Sequence, residues 1–277
     1  MKLGEQLELI ITNRLAQDNL TLPLLAPIVA KVNEVVRRSD ASLKEMTELS
    51  QMDPVLVALI MRQAAGFGSK TLEQGTAKLG TQRVRGILAE ACGRKVMESR
   101  DQKTMETTRS IWEHCRAVGL LAQRVGVLSG VPEPDVCFLA GILHDVGRPV
   151  LAVLLLEAEA QIVLRNPKLW IDGDTWVQVV ENLHRKIAIE LAKKWQFPEE
   201  VQSLLVPFTD YDVANRVSTW NTVHFANSVV KQLGIYPGTV PEQENDAVVM
   251  VGRSLMGIDD DSLKRVTSDL KVKTQFG

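Results

Sequence analysis

The side chains best suited to acid–base or metal chemistry are the four histidines His114, His144, His184 and His224. His144 is followed directly by Asp145, within the run Gly141-Ile142-Leu143-His144-Asp145-Val146-Gly147-Arg148-Pro149. Successive helix positions point about 100° apart, so an imidazole and a carboxylate side by side diverge inside a helix. At a helix end both can turn toward one ion, with Gly147 letting the chain leave sharply. Imidazole and carboxylate together suit Zn, Mn or Fe rather than Ca. Taken alone, the His-Asp pair reads as structural. Glu181 precedes His184 by three residues, so the two share a helix face and can hydrogen-bond, either as a structural pair or as support beside a metal. His224 stands between Asn221 and Asn227 at a spacing of three, a polar stripe that reads as a satisfied core cluster.

Other chemistries are missing from the sequence. There is no Gly-rich phosphate loop, no Ser-His-Asp arrangement and no nucleophile elbow. Trp112 and Trp195 read as packing residues rather than stacking platforms. The cysteines Cys92, Cys115 and Cys137 are odd in number, widely spaced and without a CxxC pair, which fits buried thiols in a reducing cytoplasm. Lys plus Arg number 32 against 34 Asp plus Glu, a net charge of −2 that argues against a dedicated nucleic-acid binder. Between Lys78 and Arg109 eight basic residues face four acidic ones, either a solvated face or a docking face for an acidic partner. The longest apolar run, Val150–Leu156, is far short of the roughly 20 residues a membrane span needs. Met1-Lys2-Leu3-Gly4-Glu5-Gln6 puts an acid where a signal peptide would be apolar. The expected location is cytoplasmic, with no membrane partner.

The elements that must hold these residues are helices. The chain is 45% hydrophobic and 24% charged, ordinary for a globular protein long enough to build its own core. Ser42-Leu43-Lys44-Glu45 and Thr71-Leu72-Glu73-Gln74 are capping boxes, and Asp53-Pro54 joins a cap to a first-turn proline. Gly80 ends one helix and Thr81 can cap the next. Ile111, Cys115, Val118, Leu121, Ala122 and Val125 follow a helical period up to Gly130. Pro149–Arg165 is almost wholly apolar for two turns and must lie deep in the core. Trp176–Trp195, Pro198–Leu205, Ser218–Leu233, Pro241–Met256 and Asp261–Val272 complete an all-α chain of about a dozen helices. The polar stretch Glu98–Thr108 separates an N-terminal helical lobe from a half that contains all four histidines.

Leu143-His144-Asp145-Val146-Gly147-Arg148, with Trp112-Glu113-His114-Cys115 upstream, resembles the HD superfamily of metal-dependent phosphohydrolases. Leu22-Pro23-Leu24, Ser42-Leu43, Asp53-Pro54-Val55-Leu56, Ala64-Ala65-Gly66-Phe67-Gly68 and Ala77-Lys78-Leu79-Gly80-Thr81-Gln82-Arg83-Val84 follow in an order similar to the HDOD domain, the HD-related output domain of bacterial signalling proteins. The resemblance continues through Glu181, His184, Trp195-Gln196-Phe197-Pro198 and Val223-His224-Phe225-Ala226-Asn227, and covers about Leu20 to Gly234. It implies an HD-like helical bundle with an N-terminal lobe: a helix over 1–19, an HDOD domain over 20–234 divided near 105, and a helical extension over 235–277.

The resemblance also implies that His114, His144 and Asp145 stand at three metal-ligand positions. Glu181, His184, His224 and Asn227 are then supporting or alternative ligands. Active relatives carry an aspartate where the best-matching helix here has Asn227, a neutral and poorer ligand. Where many relatives have a histidine pair, this chain reads Leu204-Leu205-Val206-Pro207-Phe208. A lysine frequent after the Gly of the motif is Arg148, always charged and unable to act as a base. No residue is therefore assigned a catalytic role. The expected cofactor is none, or one weakly held divalent ion (Mn, Fe, Zn or Mg).

Two functions remain open. One is a regulatory module on a degenerate HD scaffold that binds a protein partner in a signalling pathway, or a ligand such as a nucleotide. The other is an active metal-dependent phosphohydrolase acting on a nucleotide or cyclic dinucleotide, with a metal-bound water as nucleophile.

Overall fold

The computed structural model describes residues 9, 12, 13, 22, 24–93, 98–166 and 168–274. Apart from its three described positions, the helix expected over 1–19 lies outside these residues. The chain is helical, with no strand among the described residues. The helices are α1 (Ala26–Arg37), α2 (Leu43–Ser50), α3 (Pro54–Ala64), α4 (Leu72–Cys92), α5 (Gln102–Ser129), α6 (Pro134–Leu143) and α7 (Gly147–Arg165). They continue with α8 (Gly173–Lys194), α9 (Glu199–Gln202), α10 (Thr219–Gln232), α11 (Glu242–Met256), α12 (Asp260–Thr267) and α13 (Leu270–Thr274).

Short polar side chains start these helices as expected, by accepting first-turn N–H groups that have no partner within the helix. Ser42 accepts from Glu45 N, Asp53 from Val55 N and Leu56 N, and Thr71 from Gln74 N. The return half of each capping box differs from expectation. Glu45 is drawn instead to the Arg38 guanidinium at 2.7 Å, a charge-assisted bond stronger than a backbone N–H offers. Gln74 reaches one residue further back, to Lys70 N at 2.9 Å. Gly80 breaks α4 internally with φ 75°, the point at which a helix end was expected. The segment expected as one helix over Asp261–Val272 is two, α12 and α13. The expected Pro198–Leu205 helix shrinks to the single turn α9.

α1 to α4 pack on one another as the N-terminal lobe, and α5 to α8 with α10 form the second half. α3 touches both, meeting α5, α6 and α7. Its cap residue Asp53 is fully buried and accepts from the Trp112 indole at 2.9 Å, so one carboxylate both starts α3 and ties it to α5. In α7 every residue from Gly147 to Leu156 is buried, as the apolar run requires. The stretch Pro134–Arg165 is, by length and composition, apolar enough to cross a membrane, more than the short run at Val150 suggests. Its most apolar window is nonetheless 94% buried against the other helices. Residues past Pro237 pack back on the second half. α11 lies on α10, while α12 and α13 lie on α5, where Arg124 pairs with Asp269 at 2.8 Å.

Candidate metal centre

His114 and His144 come together because α5 and α6 approach unusually closely. A Cβ on Gly119 would stand 2.9 Å from the Ile142 Cβ, and one on Gly141 would stand 2.9 Å from the Gly119 Cα. The two glycines thus remove the side chains that would hold the helices apart. His114 lies just over one turn before Gly119, and His144 follows α6 three residues after Gly141. Their ring centroids are 5.3 Å apart. Asp145 sits next in the turn between α6 and α7. Gly147 then begins α7 against α8, where a Cβ would collide with the His184 carbonyl oxygen. The glycine after the His-Asp pair is needed for this packing as much as for a sharp exit.

His114, His144 and Asp145 each present a donor atom within 4.8 Å of the others. Backbone carbonyls fix both rings. His114 Nδ1 donates to Ile235 O at 2.8 Å, and His144 Nδ1 donates to Gly141 O at 2.7 Å. Each ring therefore keeps a lone pair on Nε2, the atom a metal would use. His114 Nε2 is buried without a hydrogen-bond partner among the described residues. Burial pushes the His114 imidazole down to about 3, with His144 adding to the effect, and burial lowers His144 as well. Both rings are neutral at pH 7. Burial alone would raise the Asp145 carboxyl, but the Arg148 guanidinium holds it well below the usual carboxylate range.

Arg148 is the residue whose importance the sequence did not reveal. It is buried, and its Nε lies 2.5 Å from Asp145 Oδ2. Its two terminal nitrogens donate to the Glu181 carboxylate, and Nη2 also lies 3.3 Å from the Tyr236 hydroxyl. Glu181 therefore does not serve His184 in the way its spacing suggests. Its carboxylate engages Arg148, while His184 Nδ1 donates to the backbone carbonyls of Val180 and Glu181 at 3.1 and 2.9 Å. The reason is charge, since a guanidinium is a stronger partner for a carboxylate than a neutral imidazole. His184 Nε2 faces Asp145 Oδ1 at 3.6 Å.

These groups line a cavity of about 390 Å³ that also admits His184, His224, Asn227 and Lys231. His224 is not the satisfied cluster its asparagine neighbours suggest. Asn221 turns away to cap the loop carbonyls of Asp212 and Asn215. His224 instead lies between the rings of Phe208 and Tyr211, at 4.8 and 4.5 Å, with Nδ1 buried and unpartnered among the described residues. Burial takes it down to about 4. Asn227 Oδ1 is likewise buried without a partner among the described residues. The far wall comes from Tyr236, Val240, Pro241, Glu244 and Asn245, beyond the end of α10. Ile235 and Tyr236 carry no motif, and only the path of the chain brings them onto His114.

The donors suit one divalent ion, but the charge around them does not. Asp145 is the only carboxylate in the three-residue group, and Arg148 already neutralises it. The position expected for a further acid holds Asn227, and Lys231, with no acidic partner at hydrogen-bond distance among the described residues, lines the same space. A dication would meet cations on two sides in surroundings of low dielectric.

The chain matches the HDOD domain over residues 22–206. Comparison with curated proteins gives no match. Among solved structures it is similar to the MmoQ response regulator from Methylococcus capsulatus str. Bath, at 20% identity and a TM-score of 0.63, over 90% of this chain and 99% of that one. A second MmoQ structure aligns at 20% identity and a TM-score of 0.61, over 91% of this chain and 94% of that one. Such distant likenesses bear on the fold alone, whereas the domain match spans most of the sequence. The chain belongs to the HDOD domain family.

Proposed function

We propose that this protein is a signalling or regulatory module that works by binding a protein partner or a ligand and does not turn over a phosphate ester. The observation that carries this reading is the pairing of Asp145 with Arg148. The one carboxylate a catalytic ion would need is held at 2.5 Å by a buried guanidinium, and the next ligand position offers only Asn227. The MmoQ protein with the same fold is described as a response regulator, which supports a place in signal transduction. In this reading 20–234 acts as the HDOD unit and 235–277 as an extension that closes its cavity. The free thiols Cys92, Cys115 and Cys137 favour the cytoplasm.

A second reading, a metal-dependent phosphohydrolase, is favoured by the ligand atoms that His114, His144 and Asp145 present within 4.8 Å of one another. Turnover of bis(p-nitrophenyl) phosphate and of cyclic dinucleotides with added Mn2+ separates the two. No metal-dependent turnover is expected. Turnover that requires Mn2+ and is abolished by His144→Ala would overturn the regulatory reading.

A further inference from the structure

The place of Arg148 goes beyond the loss of catalysis. Arg148 is 4% exposed, so its charge is held almost wholly within the protein. It is anchored on three sides, by Asp145 at 2.5 Å, by both oxygens of Glu181, and by Tyr236, whose ring lies 5.6 Å from the guanidinium carbon. Moving it off Asp145 would give up an ion pair at 2.5 Å while Glu181 still held its other side, which is costly in surroundings of low dielectric.

The formal charge at the cavity is already balanced. Arg148, Arg185 and Lys231 are the lining cations; Asp145 and Glu244 are the lining acids, and Glu181 stands behind Arg148. A divalent ion among His114, His144 and Asp145 would break that balance by two charges. It would also have to share Asp145 with a guanidinium already in contact. We infer that Arg148 is the resident cation of this site, built into the chain in the place of a metal ion, and that the His114–His144–Asp145 group excludes divalent metals while Arg148 is present. A regulatory protein could still hold an ion, and a metal-free protein could still have some other activity, so this inference and the regulatory reading fail in separate experiments.

The test is Mn2+ binding to the full chain, counted as loss of the free-ion electron paramagnetic resonance signal, for wild type, Arg148→Gln, Arg148→Lys and His144→Ala. Removing a positive charge next to the site should tighten Mn2+ binding by about tenfold or more. Arg148→Gln is therefore expected to gain Mn2+ binding, and adding His144→Ala should abolish the gain. Arg148→Lys keeps the charge and should bind as weakly as wild type, which separates charge from mere loosening of the packing. Folded Arg148→Gln protein that gains nothing overturns the inference. If Arg148→Gln does not fold, wild type against His144→Ala decides. Mn2+ binding by wild type that His144→Ala abolishes overturns the inference, and equal binding by the two upholds it.

Discussion

Asp53, at the cap of α3, and Trp112, in α5, are joined by a buried hydrogen bond of 2.9 Å that ties the N-terminal lobe to the half bearing the histidines. The same carboxylate holds the N–H groups of Val55 and Leu56. Asp53→Ala removes the cap and leaves the indole N–H of a fully buried tryptophan without an acceptor. A loss of about 2–4 kcal/mol is expected from the two effects together. Equilibrium denaturant unfolding measures it, and a loss no larger than that of an ordinary exposed cap would contradict the linking role.

Gly147 touches the backbone of α8 at His184, where an added Cβ cannot fit. Gly147→Ala must push α7 away from α8, and a cost of about 3 kcal/mol or more follows. Gly66 has nothing within 4 Å and an ordinary backbone, so Gly66→Ala should change stability by less than about 0.5 kcal/mol. Thermal melts of the pair check the contrast, and similar melting temperatures would refute it.

Leu154 is 2% exposed in the fully surrounded part of α7. Leu154→Ala should cost about 2–5 kcal/mol. His144 borders the cavity, and His144→Ala loses chiefly one hydrogen bond, to Gly141 O, for about 1 kcal/mol. Chelator should leave both melting temperatures where they were. A chelator-induced drop matching that of Leu154→Ala would reveal a structural metal, because metal binding adds to folding free energy.

Stability should fall on the acid side of neutrality. Burial pushes His114 down to about 3 and His224 to about 4, and it lowers His144 and His184 from the ordinary value of 6.5. Below pH 6.5 the unfolded chain takes up protons that the folded chain refuses. The stabilisation is therefore full above 6.5 and is lost as pH falls toward about 3. Asp145, held low by Arg148 against the effect of burial, adds a loss below its ordinary 3.8. Asp53 is raised by burial and acts in the opposite sense, favouring the fold when protonated. The denaturant midpoint should be lower near about pH 4.5 than near about pH 7, and His224→Gln should reduce the difference. A flat profile between these values would be inconsistent with four buried neutral imidazoles.

Much of this molecule is set by local sequence. The helical period of Ile111 to Val125, the caps at Ser42, Asp53 and Thr71, the break at Gly80 and the burial of Leu151 to Leu156 all follow from residue type and spacing within a turn or two. So does the pairing of imidazole with carboxylate at His144–Asp145. The tertiary structure decided which of these groups meet. Gly119 and Gly141 look like weak points in two helices until the helices are laid together, where they become the contact that brings His114 to His144. Glu181 is spaced to serve His184, and Asn221 and Asn227 to serve His224. Arg148 takes Glu181 instead, the Asp212–Asn215 loop takes Asn221, and Asn227 Oδ1 stays without a partner among the described residues. Charge competition and the path of distant chain settle such choices, and neither is a property of residues three or four apart. The pairing of Asp145 with Arg148 is itself local, three residues apart, but its hold is completed across the interface of α7 and α8, where Glu181 takes the far side of the same guanidinium in surroundings in which an unpaired charge is costly.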